Sequence, residues 1–426
     1  MPVAGQLAAV GDAIPLNTWL LYPTLNVFSQ YSDNYFLSPQ AKISGLGFGI
    51  SPAVAAQWTD GIHSTTLYGN FQGIQYPTVP EINTTDGEAT FTQRYSPLPD
   101  LSFSVSGDYT HRTIAPGLMN GIVSGISAPT TTVLPNGNIV LPNGSIVSPT
   151  GQLVGQTSPA LVVNGVTIVN PYDQYTGSAK IEKIFSEGTL TLGASIARLN
   201  YEQPASQASD FTANTFTENA SFWLGPLFYV YSTGAYAIDT NTYPNPSVEI
   251  YNIAGGLGTR QFGLFRASTY FGHQGSESAG QPAGGNVYGG ALSYYPTAEW
   301  TISAHIDETI NISSQTTTSI QALNFPIVTP ALIPLSSSTQ FTAYTLQSNY
   351  IISPQWTIGG TIGYDHVAYI GSPIFDDYWF LNTSISYGIW RNMTLILQYQ
   401  YTDVVSNAPL TSTNRNFIMM TASYKF

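Results

Sequence analysis

The 426-residue sequence has no cysteine and very little charge. Without cysteine the chain can form no disulfide, no thiol nucleophile and no cysteine-ligated metal site. Only 8% of its residues are charged, whereas soluble domains carry roughly 25%, so the surface is not designed to face water. The net charge is −13, and Lys and Arg form no cluster. Because binding to a phosphate backbone requires clustered cations, nucleic acid is not expected as a partner.

Long hydrophobic runs are missing as well. A membrane-spanning helix needs about 20 mostly apolar residues, and the apolar runs here end after about half a dozen, which excludes a bundle of membrane helices. Aromatic residues are abundant, with 28 Tyr, 20 Phe and 7 Trp. A disordered chain combines few aromatics with high charge, so disorder is excluded too. What remains is a β-rich protein in which every second residue is apolar.

That alternation is visible from one end of the chain to the other, and no 3.6-residue stripe recurs. Similar stretches begin at Trp300, Trp356 and Leu395. Each runs for about ten residues, the length of a tilted strand that crosses a bilayer. In the clearest stretch, four apolar residues share one face and four polar residues the other: Leu101, Phe103, Val105 and Tyr109 against Ser102, Ser104, Ser106 and Asp108.

Connections between these stretches alternate between short and long, which is typical of outer-membrane barrels with short periplasmic turns and long outer loops. We therefore predict an all-β fold, a transmembrane antiparallel up-and-down β-barrel of about 18 strands, within a range of roughly 16 to 20. Residues 1–16 would be an N-terminal periplasmic segment and residues 17–426 one barrel. A soluble β-propeller or β-helix is the alternative, but its polar faces would carry more charge. Predicted long loops are 31–43, 74–86, 114–172, 203–211, 240–247, 272–285, 312–339 and 406–414.

The two ends of the chain bear on export. Residues 1–16 have neither the basic region nor the apolar stretch of a signal peptide, so an exported chain would have lost its signal or been given the wrong start. At the other end, Tyr424 and Phe426 resemble the recognition signal of outer-membrane barrels, in which a terminal aromatic and another two residues earlier are read by the assembly machinery. Thr421 stands where that signal usually has glycine. The resemblance implies the outer membrane of a Gram-negative bacterium, with the barrel assembly machinery, periplasmic chaperones, outer-membrane lipid and lipopolysaccharide as partners.

The first 110 residues contain three further motifs. They are Tyr31-Ser32-Asp33-Asn34, the run from Gly47 to Ala53, and Asp60-Gly61-Ile62-His63 before a strand with Leu67, Gly69 and Phe71. This part of the chain resembles the β-barrel porin 2 family, bacterial outer-membrane barrels whose role is poorly defined. The resemblance implies a location and an architecture and says little about a solute.

Four tryptophans stand beside predicted turns: Trp58, Trp300, Trp356 and Trp390. Tryptophan at both ends of membrane-spanning segments forms interfacial girdles, and we predict that these four belong to one. On the opposite face, alternation places few ionisable residues toward the lumen: Glu88, Arg94, Asp108, Lys180, Glu182, Arg266, His305, Asp307 and Asp365. These nine are either plain solvated polarity or a set of charges that tunes solute preference. With so few, we expect weak selectivity or a slight preference for cations.

The segment 114–172 differs from the rest of the chain. It contains a seven-residue repeat, in which Asn136-Gly137 and Asn143-Gly144 are each followed by an Ile and a Val. Asn-Gly pairs flanked by β-branched residues indicate hairpins, so small stacked β-turns are expected. The loop would join the fifth and sixth strands. We predict that it either folds inward and narrows the pore or projects outward.

Catalytic and metal-binding motifs are missing. The five histidines have no His-x-x-x-His spacing, and no Gly-x-Ser-x-Gly elbow precedes a helix. His305 and Asp307 are the one acid–base pair on a single face, and Asp376-Asp377 could bind Ca²⁺ at a loop. We predict no catalytic residue, metal or cofactor, and a channel for passive diffusion of small hydrophilic solutes. The alternatives are a barrel for polysaccharide export or assembly, and a closed structural or adhesive barrel. A homo-oligomer is expected only by analogy with trimeric porins.

Overall fold

The computed structural model describes most of the predicted barrel. Described are residues 13–35, 42–114, 170–202, 210–241, 247–278, 281–311, 339–370, 373, 375–407 and 412–426, with six short strands between 132 and 167. Among these residues no helix is long and apolar enough to cross a membrane. The described helical structure is a single 3-10 turn, Pro80–Ile82.

Eighteen long strands form one antiparallel barrel. They are β1 (Trp19–Ser32), β2 (Gly45–Thr59), β3 (His63–Gln75), β4 (Thr84–Leu98), β5 (Leu101–Ile114), β6 (Asn170–Phe185), β7 (Gly188–Tyr201), β8 (Phe211–Trp223), β9 (Phe228–Asn241), β10 (Val248–Thr259), β11 (Phe265–Ser278), β12 (Gln281–Thr297), β13 (Trp300–Asn311), β14 (Thr339–Ser353), β15 (Trp356–Tyr369), β16 (Phe375–Trp390), β17 (Met393–Ser406) and β18 (Thr413–Lys425). Each strand pairs with the next along the chain. The ladder from Thr24–Lys425 to Ser32–Phe417 joins β18 to β1 and closes the barrel, so the predicted fold class is confirmed.

Alternation in the sequence explains the two faces of this wall. In β2, the apolar side chains of Leu46, Phe48 and Ile50 are exposed on the outside. Gly49 and Ser51 alternate with them along the strand and face inward, where Ser51 is buried. Because successive residues of a strand point to opposite faces, the same division runs through every ladder. An apolar outer surface of this kind is what a barrel presents to lipid.

All connections at one end of the barrel are short, and both ends of the barrel sheet, at Trp19 and Lys425, lie there too. These connections are 60–62, 99–100, 186–187, 224–227, 260–264, 298–299, 354–355 and 391–392. We call this the short-turn end and the opposite one the long-loop end. Before β1, a three-residue strand, Ile14–Leu16, pairs with residues 19–21.

The turn at 60–62 illustrates how the short connections are held. The Asp60 carboxylate accepts the backbone N–H groups of Ile62 and His63 at 3.0 and 2.6 Å, and Gly61 adopts a φ of +98°. Hydrogen bonds from His63 stabilise the charged carboxylate and lower the pKa of Asp60 to about 2. Asp-Gly therefore supplies both the capping group and the left-handed residue that this turn needs.

The structure contradicts two sequence predictions about local structure and agrees with a third. The predicted long loop 272–285 is wrong, because β11 and β12 run through it in continuous register and leave only residues 279–280 between them. Arg198 interrupts the alternation of apolar and polar residues after Ile196, which predicts a bulge there. The bulge is absent, since Tyr175, Arg198 and Thr212 pair in register across β6, β7 and β8. Within the segment 114–172, four short strands at 132–133, 139–140, 146–147 and 153–155 form an antiparallel meander, as the seven-residue repeat predicts.

Candidate functional site

The candidate functional site is the inner face of the barrel. The register places all nine ionisable residues predicted for the lumen on this face: Glu88, Arg94, Asp108, Lys180, Glu182, Arg266, His305, Asp307 and Asp365. Their neighbours on the same face are mainly Ser, Thr, Asn, Gln and Gly. Whether the nine act on a passing solute stays a prediction, but their common placement makes the lumen the place to look.

The densest group of charges lies on β4 and β5 toward the long-loop end. We define the carboxylate patch as Asp86, Glu88 and Asp108. These three carboxylates face Arg112 and few other basic side chains. Arg112 Nη2 lies 3.6 Å from Glu88 Oε2, and Thr90 Oγ1 donates to Asp108 Oδ2 at 2.8 Å. Three carboxylates beside one guanidinium leave the patch net negative, which favours cations in the adjacent lumen.

Several inward charged residues of the described strands were not found from the sequence, among them Asp86, Arg112, Asp239 and Arg415. Asp86 and Arg112 share the two-residue alternation of Glu88 and Asp108, which is a signal that could have found them. Asp86 fell within the predicted loop 74–86, and the other three lie next to the boundaries of predicted loops. The strands continue past these boundaries, since β5 ends only at Ile114 and β18 begins at Thr413.

A second group lies on β11 and β13. The Tyr270 hydroxyl donates to the Asp307 carboxylate, and His305, two residues before Asp307, is exposed on the same face. No ion pair joins His305 to Asp307. Asp307 is thus engaged by a tyrosine, and the acid–base pair found in the sequence is not joined by an ion pair.

Five inward aromatic rings lie flat on the wall. Each covers the glycine directly opposite it in the neighbouring strand: Phe28 on Gly49, Tyr229 on Gly258, Tyr231 on Gly256, Tyr270 on Gly289 and Phe380 on Gly363. A Cβ at any of these glycines would overlap the ring. Glycine in a strand often marks a close approach of this kind. The result is that bulky side chains occupy the wall rather than the middle of the lumen.

Near the long-loop end, residues 76–83 fold onto the inner wall. The Tyr76 ring packs edge-on against Tyr35, with ring centroids 5.0 Å apart, and Gln30 donates to its hydroxyl. Burial raises the pKa of both Tyr35 and Tyr76. The apolar cluster around them, which includes Phe28, covers the inner surface of β1, β3 and β18 and is completed by Ile74, Ile82 and Met419.

The four predicted girdle tryptophans, Trp58, Trp300, Trp356 and Trp390, all lie at the short-turn end on the outer face. Other aromatic rings accompany three of them: Trp58 pairs with Trp19, Trp300 with Tyr350 and Trp356 with Tyr387. Trp390 is 68% exposed. This arrangement is typical of an aromatic belt at a membrane interface.

At the long-loop end, outward tyrosines donate to acidic groups on the next strand. The pairs are Tyr109 with Asp173 at 2.9 Å, Tyr236 with Glu249 at 2.8 Å and Tyr364 with Asp377 at 2.7 Å. His366 Nδ1 also lies 2.7 Å from Asp377. Because Asp376 and Asp377 are consecutive residues of β16, their side chains leave on opposite faces and do not converge on one Ca²⁺ ion.

One group of potential metal ligands occurs among the described residues. Ligand atoms of His111, Asp173 and Glu202 lie within 4.8 Å of one another, on the outer face at the long-loop end. His111 Nδ1 is 3.0 Å from Asp173 and 3.7 Å from Glu202. These residues belong to three different segments of the chain, so sequence spacing gave no signal for them.

Tyr424 and Phe426 sit at the seam of the barrel. Their rings meet edge-to-face with centroids 4.9 Å apart, and the Phe426 N–H donates to the Pro23 carbonyl at 3.1 Å. Phe426 therefore adds one further hydrogen bond to the ladder that closes the barrel. Its predicted role in assembly remains a separate matter.

Replacing Phe426 with serine is expected to separate these two roles. The backbone hydrogen bond to Pro23 survives the substitution, so refolding of the purified chain into detergent should be unchanged. If the terminal aromatic is read during assembly, the folded barrel recovered from outer membranes should fall about tenfold, a difference of about 1.4 kcal/mol in recognition. Heat-modifiable migration on gels measures both. Equal losses in the two settings would mean that Phe426 is merely structural.

Comparison with known proteins supports the fold. No protein-family model matches the chain, and no curated protein matches it. Among solved structures, OpdL from Pseudomonas aeruginosa aligns with a TM-score of 0.50 at 12% identity, covering 96% of this chain and 99% of that one. OccK10 (OpdN) from the same organism and the FrpB iron transporter from Neisseria meningitidis give TM-scores of 0.45 and 0.48 at 11% and 9% identity. They cover 95% of this chain and, respectively, 99% and 81% of their own.

At these identities the likeness concerns the fold alone, and the two lower scores add nothing to it. The chain is a closed 18-stranded barrel of the outer-membrane type. The resemblance of its N-terminal motifs to the β-barrel porin 2 family stays a prediction.

Proposed function

We propose that this barrel is an outer-membrane channel through which small hydrophilic solutes diffuse passively. The observation that carries the proposal is the polar inner face of the wall. Along each strand, inward polar residues alternate with outward apolar ones, and the bulky inward rings lie flat on glycines of the neighbouring strand. Barrels of about 16 to 18 strands leave an aqueous channel unless something plugs them. A polar wall with few charges suits solutes that cross by diffusion, without a specific binding site. The N-terminal resemblance to the β-barrel porin 2 family is consistent with the outer-membrane location that this role requires.

Planar-bilayer recording of the purified protein tests the proposal. A passive channel gives stepwise, ohmic conductance that persists without any partner or energy source. A barrel that inserts and conducts nothing would be a closed structural or adhesive barrel. Liposome swelling with sugars of increasing size then gives the size limit, and an uncharged sugar that never enters would contradict passive diffusion.

The long connection 115–169 is the candidate constriction. Deleting residues 125–165 is expected to raise single-channel conductance roughly twofold, since a loop inside the lumen removes conducting cross-section. Apart from six short strands, this connection lies outside the described residues, so the constriction is the sequence prediction that the deletion tests. Deleting residues 317–333 from another long connection is the matched control. Unchanged conductance after the first deletion would remove the constriction.

A further inference from the structure

The outer surface of the barrel carries a groove that is formed by described residues. It has a volume of about 600 Å³ and lies on β3 to β7. The groove is formed by two neighbouring rows of outward residues, and each row consists of residues that pair across adjacent strands. The lower row is Leu67, Phe91, Gly107, Gly177 and Ile196, and the upper row, nearer the long loops, ends in Tyr109, Tyr175 and Arg198.

Two adjacent glycines make the floor of this groove. Gly107 and Gly177 pair across β5 and β6, and a Cβ placed on Gly107 would meet nothing within 4 Å. Phe91 and Ile196 stand on either side as walls. The floor is therefore open to an elongated apolar ligand, and no side chain of the described chain fills it.

Arg198 gives the groove a charged upper end. It is an exposed residue on the outer face, where an arginine is costly beside lipid tails and cheaper near the headgroups. Its Nε donates to Asn200 Oδ1 at 3.0 Å. Among the described residues no carboxylate lies within 4 Å of its guanidinium group. Its remaining donors are thus free to hold an oxyanion, and guanidinium is well suited to phosphate.

We propose that this groove binds a lipopolysaccharide molecule, with one acyl chain on the Gly107–Gly177 floor and a lipid A phosphate on Arg198. The polar end of the groove points to the long-loop end and the apolar part lies below it, which is the orientation of a lipid in the outer leaflet. This choice of lipid rests on the proposed outer-membrane location. Asp173 and Glu202 lie just above Arg198, so a divalent cation at His111, Asp173 and Glu202 would offset their charge beside the phosphate.

Three single variants test the site in Mg²⁺-containing detergent buffer. Gly107→Leu fills the floor without a clash inside the protein, and Arg198→Gln removes the charge from an exposed position that the fold does not need. Gly360→Leu is the control, because Gly360 is an outward glycine on β15 whose Cβ would come no closer than 3.7 Å to another atom. Native mass spectrometry counts the lipopolysaccharide molecules retained, and a titration gives their affinity.

We expect the wild-type barrel and Gly360→Leu to retain lipopolysaccharide equally, and Gly107→Leu and Arg198→Gln to bind it at least about tenfold more weakly. Unchanged binding in both groove variants would overturn the proposal, as would equal displacement by phosphatidylglycerol, which would make the ligand a phospholipid. Measuring the conductance of the same preparations distinguishes failure of the lipid site from failure of the proposed channel. A wild-type barrel that conducts but retains no lipopolysaccharide refutes the lipid site alone, and one that binds but never conducts refutes the channel alone.

Discussion

Replacing Gly363 with valine is expected to destabilise the barrel by about 1–3 kcal/mol, the usual cost of forcing extra atoms into a packed site. Gly363 faces the lumen on β15, and any Cβ there would overlap the Phe380 ring on β16. The backbone has little room to move, because Gly363 also pairs with Thr345 on its other side. The ring must therefore rotate off the wall into the lumen, so single-channel conductance should fall together with the urea midpoint of unfolding.

Two further variants test whether the contact between the Phe380 ring and residue 363 causes the loss of stability and conductance. Gly360→Val on the same strand points outward, where its Cβ would come no closer than 3.7 Å to another atom, and should change neither quantity. Phe380→Ala combined with Gly363→Val removes the ring that is pushed aside, so conductance should return toward that of the Phe380→Ala protein. If Gly363→Val were as stable as Gly360→Val, or if removing the ring restored nothing, the contact between ring and glycine would be irrelevant to the pore.

The barrel itself could be predicted because its signal is local. A two-residue alternation needs no knowledge of distant segments, and stretches such as 101–110 and 300–309 reveal both faces by themselves. The boundaries of strands are different, since a strand continues for as long as its neighbours supply hydrogen bonds. Residues 272–285 are rich in Gly, Ser and Gln and have the composition of a loop. Residues 272–278 and 281–285 are nevertheless strand, because Gly275 has both Tyr251 and Gly284 beside it in the ladder.

Contacts between strands could not be predicted for a related reason. Which residues face each other depends on the stagger of the strands around the whole barrel, and no local pattern records it. Asp173 receives its hydrogen bond from Tyr109 across 64 positions of sequence, and Asp33 accepts one from the Asn416 backbone across 383. The carboxylate patch contains residues that the local pattern predicts as well as a residue and a contact that it does not. Glu88 and Asp108 were found by alternation, whereas Asp86 was lost to a misplaced boundary and the proximity of Arg112 to Glu88 is a matter of register.

Neutralising the carboxylate patch is the sharpest test of what the lumen charges do. In the triple variant Asp86→Asn, Glu88→Gln and Asp108→Asn, the cation-to-anion permeability ratio should fall severalfold and cross to a weak anion preference. A unit charge at roughly 10 Å in water is worth about 0.4 kcal/mol, or about twofold in local ion concentration. Three carboxylates thus supply a factor of several, while Arg94, Arg112 and Lys180 stay on the same wall. Reversal potentials across a KCl gradient measure the ratio, at low ionic strength because salt screens it.

A matched triple variant separates the lumen from the charge of the molecule as a whole. Asp173→Asn, Glu249→Gln and Glu308→Gln also removes three carboxylates, but from the outer face at the long-loop end. Because these groups lie outside the barrel wall, the reversal potential should stay within experimental error of the wild type. Equal shifts in the two variants would mean that selectivity follows net charge and not the patch. A patch variant that kept the wild-type ratio would show that ions pass the lumen out of reach of β4 and β5, along the opposite wall.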